Sequence, residues 1–209
     1  MGAHCCDDVK FDGIDPAYKR ALIAVIIINA LMFLIEMPMG FVGQSQALKA
    51  DALDFLGDTL TYTISLLVIG KAATLRAKVA LLKGLSLAAM GIWVLGSTIY
   101  SVFYTTEPAA LIMGSVGMAA LIANLISVLL LMRYKDGDAN VRSVWLCSRN
   151  DAIGNVMVML AASGVWASGT GWPDLIVATL MATLFITGAV AIIKQARAEI
   201  NHPPHAPAE

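Results

Sequence analysis

Four side chains with metal-binding chemistry lie inside apolar stretches of this 209-residue chain, where a helix in lipid would normally carry none. Asp54 and Asp58 form one pair, Cys147 and Asp151 form another, and both pairs have i, i+4 spacing. In a helix this spacing places two side chains on one face, one turn apart. An ionised carboxylate at membrane depth is unfavourable unless it meets a partner, a cavity or a cation. Because three carboxylates and a thiolate suit a divalent transition metal, these four residues are candidate metal ligands.

The overall composition indicates a membrane protein. Hydrophobic side chains make up 58% of the chain and charged ones 14%, and the mean hydropathy is +0.76. Soluble domains carry about 25% charged residues. The net charge of −1 provides no basic surface for nucleic acid. Three cysteines, of which Cys5 and Cys6 are adjacent, do not form a disulfide framework, and no signal peptide is evident.

The apolar runs are long enough for six membrane spans, since each span needs about 20 residues. We predict them at 18–41, 44–70, 79–104, 108–134, 142–167 and 172–196. The short connections between them favour antiparallel hairpins. The expected fold is an all-α integral membrane protein with six transmembrane helices. Residues 1–17 would form a cytoplasmic N-terminal tail, 18–200 the transmembrane domain and 201–209 a short cytoplasmic C-terminal tail.

The distribution of basic residues predicts the orientation. Of the 14 Lys and Arg residues, all but Lys49 and Arg149 fall near the N-terminus, the second and fourth connections or the C-terminus. Lys83 is counted here with the second connection. These four segments share one face of a six-span chain, and the other three connections carry no basic residue. By the positive-inside rule, both termini are predicted to be cytoplasmic.

The two pairs of candidate ligands are expected at nearly the same depth. Span 2 runs towards the cytoplasm and span 5 away from it. At about 1.5 Å per residue, Asp58 would lie about 18 Å from the cytoplasmic end of its span and Asp151 about 14 Å from that of its own. A single site between spans 2 and 5 is therefore geometrically reasonable.

An alternative is that the acids serve helix packing alone. Lys49 and Arg149 could neutralise two of them in buried ion pairs. Two bases cannot satisfy the four acids of these spans, which are Asp51, Asp54, Asp58 and Asp151. Arg149 also lies two residues from both Cys147 and Asp151, roughly on the opposite helix face. The metal-ligand interpretation is therefore favoured.

Other polar residues leave their roles open. Glu36 lies in span 1 near Pro38, and either a helix kink or an ion pathway would explain it. Asn124 in span 4 is better explained by an interhelical hydrogen bond than by metal ligation. Whether the tails bind metal is left open, although both carry suitable side chains: His4, Cys5, Cys6, His202 and His205.

The stretch from Glu36 to Asp58 resembles the first two spans of the cation diffusion facilitator family, whose pattern is E-x3-G-x4-S-x-A-L-x2-D-A-x-(H or D)-x3-D. Every named position matches: Glu36, Gly40, Ser45, Ala47, Leu48, Asp51, Ala52, Asp54 and Asp58. Further residues are also similar to that family: Asn29, Asn124, Cys147, Asp151 and Asp174. The resemblance covers essentially the whole chain in the same six-span order.

This resemblance implies a homodimeric, multi-pass protein of the cell inner membrane that exports a divalent cation in exchange for protons. The family's tetrahedral site would consist of Asp54, Asp58, Cys147 and Asp151. No prosthetic group is implied, because the metal and the protons are cargo. Cys147 replaces the usual histidine, which should favour zinc, cadmium and softer ions such as lead or mercury over manganese and iron. The chain also resembles a short branch without the family's cytoplasmic C-terminal domain.

Three other function classes could also place acids within membrane spans. A passive divalent cation channel remains open, because nothing in the sequence shows proton coupling directly. A metal-dependent lipid transferase would need D-x2-D-G-x2-A-R, but Phe55 follows Asp54 and no A-R comes after it. An intramembrane aspartyl protease would need G-x-G-D, and the sequence before Asp58 lacks the first glycine. The protein is therefore predicted to be a transporter and not an enzyme.

Overall fold

The computed structural model describes residues 15–67, 73–104, 107–135 and 139–201, and these ranges contain six long helices and no strand. A single 3-10 turn, Met132–Tyr134, follows the fourth helix. The helices are α1 (Pro16–Val42), α2 (Gln46–Leu67), α3 (Ala73–Tyr104), α4 (Ala110–Leu131), α5 (Ala139–Ser168) and α6 (Trp172–Asn201). The predicted all-α class and the predicted order of six helices are confirmed.

Five of the six helices are long and apolar enough to cross a membrane. The qualifying segments are Pro16–Val42, Ala80–Tyr104, Ala110–Tyr134, Ser148–Ser168 and Trp172–Ala198. The helix that does not qualify is α2, because it carries Lys49, Asp51, Asp54 and Asp58 within 22 residues. It contacts each of the other five helices. The polar face of α2 is therefore turned towards protein, as a charged helix in a membrane bundle requires.

A tight turn joins α1 to α2. The amide of Gly43 donates to Met39 O (2.7 Å) and that of Ser45 to Gly40 O (3.0 Å), while Gln44 takes a left-handed conformation with φ 52°. A Cβ atom at Gly40 would lie 2.9 Å from Lys49 Cγ and 3.1 Å from Lys49 N. Gly40 therefore permits the close approach of α1 and α2 and holds the acidic helix against its neighbour.

The most extensive helix–helix interface joins α3 and α6. A Cβ atom at Gly84 would lie 2.8 Å from Ile193 Cγ1, and one at Gly91 would lie 2.8 Å from Ile186 Cγ1. Small residues at an interface let two membrane helices approach closely. These two glycines fix both the separation of α3 from α6 and the rotation of α3 about its axis.

Candidate metal centre

Both predicted pairs lie on continuous helices. Asp54 and Asp58 lie on α2, and Cys147 and Asp151 lie on α5, so each pair is one helical turn apart as the spacing predicted. The side chain of Cys147 lies outside the part of the structure that is described. The structure therefore places three of the four predicted ligands: Asp54, Asp58 and Asp151.

A cavity of about 560 Å³ lies between α2, α3, α5 and α6, and Asp54, Asp58 and Asp151 all line it. Residues within 54–64 of α2, 82–90 of α3 and 181–192 of α6 form much of its wall. The cavity thus extends from mid-helix towards the face at which α2 ends and α3 begins. According to the predicted orientation, this is the cytoplasmic face.

The three carboxylates are neighbours across the α2–α5 contact. Asp151 lies beside both Asp54 and Asp58, and Tyr62 lies beside Asp58. Asp58 and Asp151 therefore lie at a similar level of the helix bundle, as the residue count predicted. Within the described part of the chain, no three acid, cysteine or histidine side chains already stand in an arrangement that would hold a metal ion. The carboxylates share one cavity and would have to converge further to enclose an ion.

A narrow polar cleft lies behind the carboxylates, on the side of α1 and α4. Asn29, Asp51 and Asn124 line it together with Asp54, Asp58 and Asp151. Asn29 Nδ2 donates to Val25 O within its own helix (2.9 Å), and the side chains of Asn29, Asp51 and Asn124 are all buried. The three predicted ligands therefore lie between an apolar-walled cavity and a buried polar layer.

Glu36 is a further acid, which lies next to Asp51 and does not line the cavity. It is fully buried in α1. Of its acidic neighbours, Asp51 has the larger electrostatic effect on Glu36 and Asp54 the smaller. Helix α1 continues through Pro38 to Val42. Glu36 thus lies beside the acidic helix, whichever of the two roles left open above it serves.

Lys49 and Arg149 do not form the ion pairs with the cavity acids that the alternative interpretation required. Lys49 Nζ lies 4.7 Å from the centre of the Phe41 ring and interacts electrostatically with Asp174. Arg149 is exposed, lies 5.3 Å from the Trp145 ring centre and donates to Asn150 Oδ1 at 3.4 Å. Neither basic residue lines the cavity. Lys49 therefore lies over Phe41 and Arg149 over Trp145, and neither side chain is placed to neutralise the three carboxylates.

The structure places a different basic residue at the site. Lys83, which the charge count had assigned to the second connection, lies within α3 and lines the cavity. It attracts the carboxylate of Asp58. The spacing of Lys83, Leu87 and Met90 was a usable signal, because i, i+4, i+7 marks one helix face and all three line the cavity.

Ser45 and Asp174, two of the residues carrying the family resemblance, have a structural role at the opposite end of α2. Asp174 lies in the first turn of α6 and accepts hydrogen bonds from Ser45 Oγ, Gln46 N and Ala47 N, at 2.6, 2.7 and 3.0 Å. The Ser45 hydroxyl accepts from Leu48 N at 3.0 Å. The first three amides of α2 are thus all capped, two of them by a side chain from another helix.

The candidate ligands in the two tails are His4, Cys5, Cys6, His202 and His205, and all of them lie outside the described residues.

Comparison with known proteins identifies the family. Residues 22–200 match the family described as the cation efflux transmembrane domain. The chain is 25% identical over 194 residues to a cadmium, cobalt and zinc/H(+)-K(+) antiporter of Bacillus subtilis (strain 168), covering 84% of this chain and 61% of that protein. It is 24% identical over 191 residues to a protein of the same name from Bacillus velezensis, covering 84% and 60%. The aligned part therefore spans about three fifths of these relatives. Since the family match covers most of the chain, this integral, multi-pass membrane protein belongs to the cation efflux family of transporters.

Proposed function

We propose that this protein exports divalent transition-metal cations, with zinc and cadmium foremost, from the cytoplasm in exchange for protons. The observation that carries the proposal is the shared cavity of Asp54, Asp58 and Asp151 at mid-helix depth. Buried acids in a membrane bundle characteristically mark an ion pathway. The names of the two Bacillus relatives, which include cadmium, zinc and H(+), agree with this assignment.

The proposed ligands are the three carboxylates and the thiolate of Cys147. Cys147 lies one turn before Asp151 on α5, on the same helix face, so it would complete a four-donor set with a single soft ligand. Zinc accepts such a mixed oxygen and sulfur set in tetrahedral geometry. Lead and mercury are further candidates because of the sulfur donor.

Binding and release would follow the protonation of these ligands. A carboxylate or thiol must lose its proton to bind metal, so metal loading from the cytoplasm releases protons. Protons that reach the same groups from the opposite side would compete with the metal and expel it. The direction of transport then depends on which side of the membrane is more acidic.

The packing suggests which parts would move. Helices α3 and α6 form one tightly packed pair, and the cavity separates this pair from the ligands on α2 and α5. Closing the cavity by a rigid-body shift of the α3–α6 pair would bury the metal-binding carboxylates from the cytoplasm. The hydrogen-bonded link between α2 and α6 at their other ends would act as the fulcrum.

Reconstituted vesicles would distinguish an antiporter from a passive channel. Purified protein in liposomes would be given external cadmium, with a metal-sensitive dye and a pH-sensitive dye enclosed in separate samples. An acidic lumen should accelerate cadmium entry, and the luminal pH should rise as metal enters. Cadmium entry that is equally fast without a pH gradient and leaves the luminal pH unchanged would establish the channel instead.

We also propose that the protein works as a homodimer, as the family resemblance implies. Light scattering of the purified protein in detergent would give a protein mass near twice the 22.1 kDa of one chain. A mass near 22.1 kDa over the working concentration range would overturn this assignment.

A further inference from the structure

We propose that Lys83 is an affinity-setting residue, a built-in cation that competes with the transported metal for the carboxylates of the cavity. The inference rests on the function proposed above, because it assigns a role to Lys83 only if metal binds there. Among the described side chains that line the cavity, Lys83 is the single basic one, and it shares that cavity with three acids: Asp54, Asp58 and Asp151.

The position of Lys83 is determined by the packing of the helix that carries it. Gly84, the next residue, is wedged against Ile192 and Ile193 of α6 and leaves no room for a side chain. Because α3 is held at this point and again at Gly91, it cannot rotate to turn Lys83 away from the cavity without separating from α6. The lysine is therefore fixed to the α3–α6 pair, while its acidic neighbour Asp58 belongs to α2.

The surroundings strengthen the effect of this charge. The rest of the cavity wall is largely apolar and includes Leu87, Met90, Met181 and Phe185. Low-dielectric walls focus the field of the few charges they enclose, so the ammonium acts on the carboxylates more strongly than it would at an open surface. Its attraction to Asp58 is present in the described structure.

Two consequences follow for transport. Without metal, the ammonium offsets part of the negative charge of the three half-buried carboxylates, which would otherwise repel one another. With metal, it repels the dication and weakens its binding. Four anionic ligands around one dication carry a formal charge of −2, and this excess of negative charge would hold the ion tightly. A nearby lysine offsets part of the excess and so limits the affinity. Lys83 should therefore raise the dissociation constant and speed release.

Charge-removing and charge-keeping variants test this inference. Lys83→Met keeps most of the side-chain shape and removes the charge, whereas Lys83→Arg keeps the charge. Lys78→Met is the matched control, since Lys78 is an exposed lysine of the same helix. Cadmium binding to each purified variant would be measured by titration calorimetry, and transport KM and maximal rate would be measured in liposomes.

We expect Lys83→Met to lower the cadmium dissociation constant by on the order of tenfold, since the ammonium would no longer repel the dication across the shared cavity. KM should fall and the maximal rate should fall with it, because release becomes slower. Lys83→Arg and Lys78→Met should match the parent. If Lys83→Met folds poorly, Lys83→Gln provides the same comparison.

A folded Lys83→Met or Lys83→Gln protein that binds cadmium as the parent does, or more weakly, would overturn the inference. The Asp54→Asn variant separates this failure from a failure of the proposed function. If Asp54→Asn abolishes cadmium binding while Lys83→Met leaves it unchanged, only the role of Lys83 is refuted. If the parent itself binds no cadmium, zinc or other divalent metal, both proposals are refuted.

Discussion

The hydroxyl of Ser45 donates a 2.6 Å hydrogen bond to the carboxylate of Asp174, a residue 129 positions later in the chain. The bond joins the N-terminus of α2, the helix with the acidic face, to the N-terminus of α6. Both residues are fully buried. A carboxylate at two helix N-termini is favourably placed with respect to both helix dipoles. The acidic helix is therefore anchored at the end away from the cavity, and the half that carries Asp54 and Asp58 borders the cavity.

Replacing Asp174 by alanine should destabilise the protein more than replacing Ser45 by alanine. Asp174→Ala leaves the hydroxyl of Ser45 and the amides of Gln46 and Ala47 buried without their acceptor. Buried donors without a partner are expensive, and hydrogen bonds to a charged group contribute about 1.5–3 kcal/mol each, so a loss of about 3 kcal/mol or more is expected. Thermal unfolding of the purified protein in detergent would measure the loss as a fall in Tm.

Ser45→Ala is the matched comparison, because the carboxylate can still cap both amides in that variant. It should cost about 1 kcal/mol, the usual value for a lost N-cap side chain. Equal melting temperatures for Asp174→Ala and the parent would show that the link between α2 and α6 contributes nothing to stability.

The carboxylates that line the cavity should matter for cadmium binding, whereas an acid outside it should not. Asp54→Asn and Asp151→Asn each keep the side-chain shape and remove the charge of one proposed ligand, so each should lower cadmium affinity by at least about 100-fold. Glu107→Gln is the control, because Glu107 is an exposed acid outside the cavity. Calorimetry on the purified variants would check the affinities. Parent-like binding in Asp54→Asn would remove Asp54 from the ligand set.

The helices and the spacing of the acids could be predicted from the sequence, because both are local properties. Runs of about 20 apolar residues and i, i+4 spacing depend only on nearby positions. The similar level of Asp58 and Asp151 could also be predicted, because the depth of a residue in a span follows from the number of residues between it and the end of that span. These predictions required no knowledge of how the helices pack.

The roles of Lys83, Lys49 and Asp174 could not be predicted in the same way, because each depends on the tertiary packing. Counting basic residues near a connection does not reveal which face of α3 Lys83 occupies, since the contact of Gly84 with α6 sets that rotation. Asp174 caps amides 128 and 127 residues away, and no local pattern connects them. Lys49 was available to pair with an aspartate in its own span but instead lies over Phe41.

The close contact of α3 with α6 should tolerate no added methyl group at Gly91. A Cβ atom there would lie 2.8 Å from Ile186 Cγ1, 3.1 Å from Phe185 Cβ and 3.3 Å from Ala182 O. Overpacking a close contact typically costs about 1–3 kcal/mol, so Gly91→Ala should lower Tm. If the α3–α6 pair must shift as a unit, Gly91→Ala should also slow cadmium transport in liposomes.

Gly96→Ala on the same helix is the control, because nothing lies within 4 Å of its added Cβ atom. Alanine is favoured over glycine within a helix by about 1 kcal/mol, so this variant should unfold at the same temperature as the parent or slightly higher. A similar fall in Tm for both variants would show that the cost at Gly91 does not arise from the contact with α6.

The thiol of Cys147 should determine which metals are preferred. Cys147→Ser replaces a soft sulfur donor by a harder oxygen, so cadmium should lose more than zinc. We expect the ratio of cadmium to zinc transport efficiency to fall by about tenfold in liposomes. Cys147→His, which introduces the histidine usual in the family, is the informative companion: zinc transport should persist while the preference for cadmium declines. An unchanged cadmium-to-zinc ratio in Cys147→Ser would exclude Cys147 from the metal site and leave the three carboxylates as the protein ligands.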